Sequence, residues 1–225
     1  MARADIAVFL TEEAYNTDSI MDEKVKKYLS DAFESVSYDI GLVNTTHNPD
    51  PPTEDASDNT PITDTVCGND ERDYNDLLEW WYDYHRCNVL PDAADSNILI
   101  TDGTNLAGEG YVGGQMAVAS GHQIKNIDFD DPVPNRATGT KHFAMTTAIH
   151  EIGHNLGCVH KDGYHEIVNN NTEYNQTLLM HDYSEKHHHS DNNCNNYLEN
   201  VEDSMDKYVK YAFSDCAESS MDISA

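Results

Sequence analysis

The sequence predicts an α/β (α+β) fold, a twisted mixed sheet with helices packed on it, as a single domain over residues 1–225. Three observations carry that expectation. Short apolar runs at Ile6–Leu10 and Asn97–Thr101 read as buried strands. Apolar residues then recur at helical spacing in two stripes, Val25 to Val36 and Tyr74 to His85. The first stripe lies between Ile6–Leu10 and a further strand at Ser37–Val43, which is the order of a βαβ unit. A chain of 225 residues is long enough to bury one sizeable core.

The first helix shows Val25, Tyr28, Leu29, Ala32, Phe33 and Val36 on one side, behind Ser19 and Asp22 in capping-box positions. Residues Asn44 to Asp70 hold Pro49, Pro51, Pro52 and Pro61 among Asp, Thr and Asn. They read as a long surface loop, either a solvated acidic segment or a Ca2+-binding one. In the second helix, Tyr74, Leu77, Leu78, Trp81, Tyr82 and His85 form the stripe, so one tryptophan of the Trp80–Trp81 pair faces the core and His85 is a packed helix residue.

Asn105 to Ser120 contains Gly108, Gly110, Gly113 and Gly114. Such glycines weaken an ordinary strand but suit an edge that approaches another backbone closely and pairs with an extended peptide. Asp128, Asp130 and Asp131, with Pro132 and Pro134, form a second acidic turn. From Gly139 a helix runs through Phe143, Ala144, Thr147, Ala148 and Ile149, with Ile152 and Leu156 facing the core. A last helix is expected from Asn195, through Leu198, Val201, Met205, Tyr208, Val209 and Ala212.

The third helix carries His150-Glu151-Ile152-Gly153-His154-Asn155-Leu156-Gly157-Cys158-Val159-His160, which reads HExxHxxGxxH. His150 and His154 fall one turn apart on one face and can share an ion. In a continuous helix His160 would lie roughly 9 Å further along the axis, too far for an ion with bonds of about 2.1 Å. The helix must break, and Gly157 is the residue that enters the left-handed conformation without strain. Three histidine nitrogens leave a position open, as in a catalytic zinc site, and Glu151 is placed to act as general base. Chance produces this spacing in such a chain at a frequency on the order of 10⁻⁴. His165 is the nearby competing ligand, and His187, His188 and His189 form a solvated or metal-collecting tract.

The formal net charge is −28, from 41 acidic against 13 basic residues spread along the chain. Self-repulsion of this size is a feature of salt-adapted proteins. Nucleic acid is excluded as a partner for lack of basic patches, and no apolar run reaches the ~18 residues of a membrane span. A monomer is expected. None of the five cysteines forms a CxxC pair. A continuous helix over 195–213 would hold Cys194 and Cys216 roughly 28 Å apart, too far to bridge, and the second helix similarly disfavours Cys67 with Cys87. The pairing expected instead is Cys158 with Cys194. The N-terminus, MARADIAVFLTEEAY, lacks the features of a signal peptide, so an exported protein would be in its mature form.

The HExxHxxGxxH motif resembles that of the metzincin zinc endopeptidases, and HEIGHNLG is most similar to the adamalysin/reprolysin branch. Tyr111-Val112-Gly113-Gly114 resembles the YVGG segment that leads into the substrate-binding edge strand of that branch. Met180, within Leu178-Leu179-Met180-His181-Asp182-Tyr183, matches the methionine of the turn beneath the zinc. The resemblance implies one catalytic Zn2+ held by His150, His154 and His160, a protein or peptide substrate, and secretion. It also implies a cleft between a larger N-terminal part (1–157) and a smaller C-terminal part (158–225). Astacins and serralysins place a tyrosine two residues after that methionine. Here Tyr183 follows by three, as a transition-state support or a wall residue. Lys161 stands where the reprolysin-like pattern has Asp. The alternative to an endopeptidase is a binding module of the same fold that keeps zinc without turnover.

Overall fold

The computed structural model describes residues 2–56, 61–68, 70–88, 90–105, 107–169, 173–178 and 205–223. Strand β1 (Arg3–Leu10) leads through helices α1 (Glu12–Thr17) and α2 (Met21–Phe33) to β2 (Asp39–Val43). A small hairpin, β3 (Ile62–Asp64) and β4 (Arg72–Tyr74), precedes α3 (Leu77–Cys87). Strands β5 (Ser96–Thr101), β6 (Gly108–Gly110) and β7 (Met116–Ser120) follow, then α4 (Thr140–Asn155). The main sheet has the order β2-β1-β5-β7-β6. Its first four strands are parallel, and β6 runs antiparallel at the edge. The mixed α/β expectation therefore holds.

Helices cover both faces of this sheet. Alternation sends Ile6, Val8, Leu10, Ile98, Ile100, Ala117 and Ala119 into one core with residues of α2 and α4. Ala7, Phe9, Leu99, Met116 and Val118 face the other way, into a core with α3. Because both faces are buried, these strands read as continuous apolar runs without alternation. That is why β1 and β5 are legible in the sequence.

Beyond α4, β8 (His165–Val168), β9 (Glu173–Gln176) and β10 (Asp206–Val209) form a second sheet, ordered β10-β9-β8, and α5 (Asp215–Ser220) follows. This region shares the first core: Phe213 meets Phe33 at 5.6 Å between ring centroids, and Tyr211 meets Tyr28 at 4.7 Å.

Several expectations need correction. The last helix is not continuous, because Asp206–Val209 is a strand parallel to β9. Tyr208 and Val209 suit a strand as well as a helix, and the available partner strand decides. Residues 195–204 lie outside the described residues. With that helix gone, the reason for separating Cys194 from Cys216 goes too. Cys216 is disulfide-bonded, and its partner lies outside the described residues.

Cys67 and Cys87 are bridged, with Cα atoms 5.4 Å apart. Helix length separates the ends of α3, but the β3–β4 hairpin before it carries Cys67 back to the C-terminal end. Cys158, expected to pair with Cys194, is a free buried thiol whose Sγ donates to the Ala217 oxygen at 3.4 Å.

Helix α2 begins after Ile20 and makes no side-chain capping bond there, so Ser19 is not its cap. Both Trp80 and Trp81 are fully buried. Their indole N–H groups donate to Asp64 Oδ2 at 2.8 Å and Asn97 O at 3.0 Å, because α3 is covered by the hairpin as well as by the sheet. His85 is packed as expected, with Nε2 3.1 Å from Pro91 O. Several short elements, among them α1, β3, β4, β8, β9 and α5, were too brief to show a period.

Candidate metal centre

Helix α4 ends at Asn155, and Gly157 takes φ +93°, the left-handed conformation that lets the chain turn back. Gly157 N–H donates to His154 O at 2.9 Å and Cys158 N–H to Gly153 O at 3.0 Å. Together they form a Schellman cap, in which the carbonyls left open by the last turn are satisfied. The turned chain brings His160 back to the face that carries His150 and His154. His160 Nε2 lies 3.0 Å from His154 Nε2 and 3.1 Å from His150 Nε2.

The outer ring nitrogens define what these groups can hold. His150 Nδ1 is 2.7 Å from Leu178 O, and His154 Nδ1 is 2.9 Å from Cys158 O. Carbonyl oxygens only accept, so each Nδ1 carries the proton and each Nε2 presents its lone pair inward. Lone pairs converging this closely repel unless a cation lies among them. Nitrogens around a tetrahedral ion with ~2.1 Å bonds lie about 3.4 Å apart, so a small outward shift of the rings admits one. The three histidines form a group that can bind a metal ion. Among the described residues neither acidic loop gathers three such side chains, so the Ca2+ expectation gains no site there.

Asp162 holds the third histidine in place. His160 opens a short 3₁₀ turn, His160–Asp162, and the buried Asp162 carboxylate accepts Val159 N–H at 2.7 Å and Ser220 Oγ–H at 2.9 Å. Ser214 Oγ also donates to Asp162 O. The turn is thus tied to both ends of α5. Lys161 directly follows His160, and the carboxylate one residue later does the anchoring.

Glu151 is buried at 6 % exposure against edge strand β6. A Cβ on Gly108 would come within 2.8 Å of Glu151 Cγ, and one on Gly110 within 3.2 Å of Glu151 Oε2. The two glycines leave the slot the carboxylate occupies. From the protein's own groups alone, burial and then the charge of Glu109 push the Glu151 carboxyl up to about 8. A cation on the neighbouring histidines would draw it back down.

Tyr111-Val112-Gly113-Gly114 does not lie in the edge strand. It forms the turn between β6 and β7, with Tyr111 and Val112 exposed and Gly113 at φ +67°. Gly113 N–H donates to His154 O at 2.8 Å. Asn155 is the link that sequence reading missed: buried, it donates through Nδ2 to Tyr111 O at 3.2 Å and Met116 O at 2.9 Å, and accepts from Ser96 Oγ at 2.8 Å. The signal for it was an amide at a helix position that packing buries. Met180, Tyr183 and His187 to His189 lie outside the described residues. His165 stands on β8 and is not one of the converging ligands.

No protein-family model matches the chain, and no curated protein does.

Proposed function

We propose that the protein is a zinc-dependent endopeptidase of metzincin type. The observation that carries this reading is Glu151, a carboxylate enclosed between the helix of the converging imidazoles and the glycines of an edge strand. Three imidazoles suit zinc among the divalent ions, and a three-ligand set is that of catalytic sites. Bound there, zinc supplies Lewis acidity that acidifies water towards pKa ~7 and polarises a carbonyl.

The chain's own residues do the rest. Glu151 takes the proton of the attacking water and returns it to the leaving amine. Leu178 O and Cys158 O keep His150 and His154 in the tautomer that ligates. The outer edge of β6 pairs with the main chain of an extended substrate. A metal-storing binding module has no use for a buried base, so Glu151 favours the enzyme over that alternative. The Cys67–Cys87 bridge fits an exported protein, and the charge of −28 a salt-rich medium. We take the protein to act as a monomer.

Metal content and casein cleavage, measured with and without chelator for the wild type and Glu151→Gln from low to multimolar salt, test the reading. Zinc should be retained by both proteins and cleavage by the wild type only. A wild type that binds stoichiometric zinc yet cleaves nothing at any salt level would refute it.

A further inference from the structure

At the turn end of β6, a cavity of about 430 Å³ opens between the β6–β7 turn, α3 and the segment after α5. Tyr82 and Tyr111, 46 % and 48 % exposed, stand in its wall. Asp95, Asp222, Gln115 and Asn155 supply polar groups, and both charged side chains of the lining are acidic. Asp95 is buried, and its Oδ2 accepts Asp5 N–H at 2.7 Å, so this carboxylate is fixed to the sheet. Arg86, outside the lining, sits over the Tyr82 ring at 6.0 Å from its centroid, so one face of that ring already carries a cation.

The geometry points to a subsite in this cavity for the cationic side chain, arginine or lysine, of a peptide bound along β6. Two carboxylates and two phenol rings stabilise a guanidinium or ammonium by charge-assisted hydrogen bonds and cation–π contact. The cavity is also registered against the metal centre. Asn155, which lines it, directly follows His154 and holds both ends of the turn, and Gly113 N–H is bonded to His154 O. A peptide extended along β6 and past Tyr111 therefore delivers one of its side chains here at a set distance from the histidines. In molar salt the Debye length is about 3 Å, so the overall charge of −28 does not attract basic peptides at range. Carboxylates in direct contact with the ligand still discriminate.

The subsite rests on the peptidase reading, and its test is a binding measurement on Glu151→Gln, which needs no turnover. Alanine-based peptides carrying one arginine, moved through each position in turn, are compared in molar KCl with their citrulline counterparts by fluorescence anisotropy. At one position arginine should bind about tenfold tighter. In Asp222→Asn and in Tyr82→Ala, both surface changes, that preference should drop below about threefold. It should persist in Asp128→Asn, an exposed carboxylate outside the lining. No binding, equal affinity at every position, a preference untouched by both cavity variants, or an equal loss in Asp128→Asn overturns the subsite. Cleavage by the wild type without arginine preference removes the subsite alone. Arginine preference without cleavage removes the peptidase reading alone.

Discussion

A Cβ atom on Gly110 would lie 2.8 Å from the main-chain oxygen of Glu151 and 3.2 Å from its carboxylate Oε2. The edge strand and the helix that carries His150 and His154 are in contact at the residue proposed as base, and only the missing side chain permits it. Gly108 repeats the contact two residues earlier, on the same face of the strand.

Gly110→Ala should therefore force β6 and α4 apart. Overpacking of this kind costs about 1–3 kcal/mol of stability, and displacing the base by about an ångström lowers cleavage roughly 10²-fold. Bound metal should stay stoichiometric, since no ligand is touched. Unfolding midpoint, metal content and turnover on one preparation check this. A variant with wild-type cleavage would show that the slot is not required.

Asp162→Ala should release the turn that presents His160. Loss of a group that orients a ligand weakens metal binding by about 10–100-fold, whereas turnover per bound metal should be close to that of the wild type. Competition against a chelator of known affinity gives the first quantity and saturating-metal assays the second. Unchanged affinity would mean that the α5 contacts through Ser214 suffice.

Glu54 provides a pH dependence that involves none of the three histidines. Its carboxylate accepts Thr11 Oγ1–H at 2.8 Å and Asp102 N–H at 2.5 Å, and burial raises its pKa from 4.5 to about 7, outweighing those bonds. The folded chain thus holds this proton between the two values. Its contribution to stability is fully present below 4.5 and is lost as pH rises through about 7. Glu54→Gln should gain on the wild type, by on the order of 1–3 kcal/mol, near pH 8 but not near pH 4.5. Denaturant curves for both proteins at the two pH values decide it, and a difference independent of pH would contradict the assignment.

Cys158 should resist alkylation in the native protein and react once it is unfolded, because burial pushes its thiol up to about 12 and its Sγ is bonded to Ala217 O. Cys67→Ser, by contrast, should lower stability by about 3 kcal/mol through loss of the loop constraint. Peptide mapping after alkylation with and without denaturant tests the first statement and urea melts the second. Native labelling of Cys158 would place it outside the core.

Strands β1 and β5 and the long helices were legible because burial on both faces or along one stripe leaves a run or a period. Helix α1 and strand β3 were not, since three to six residues hold too little of either, whereas Gly108 and Gly110 did mark the sheet edge at β6. Val201 and Met205 continued a helical period into Tyr208, yet Asp206–Val209 pairs with β9. A period states which residues face one way if the segment is helical, and a waiting partner strand can still prevail.

By itself the sequence determined the three converging histidines, the carboxylate beside them and the break at Gly157, because these follow from spacing along one helix and the φ that glycine alone takes freely. Only the tertiary structure decided what surrounds them: Asp162 as the anchor of His160, Asn155 as the tie to the Tyr111 turn, the glycine slot around Glu151, and Cys67 bridged to Cys87. Each of those relations joins residues from different elements. No local rule specifies them, because they depend on which buried faces meet when the chain closes.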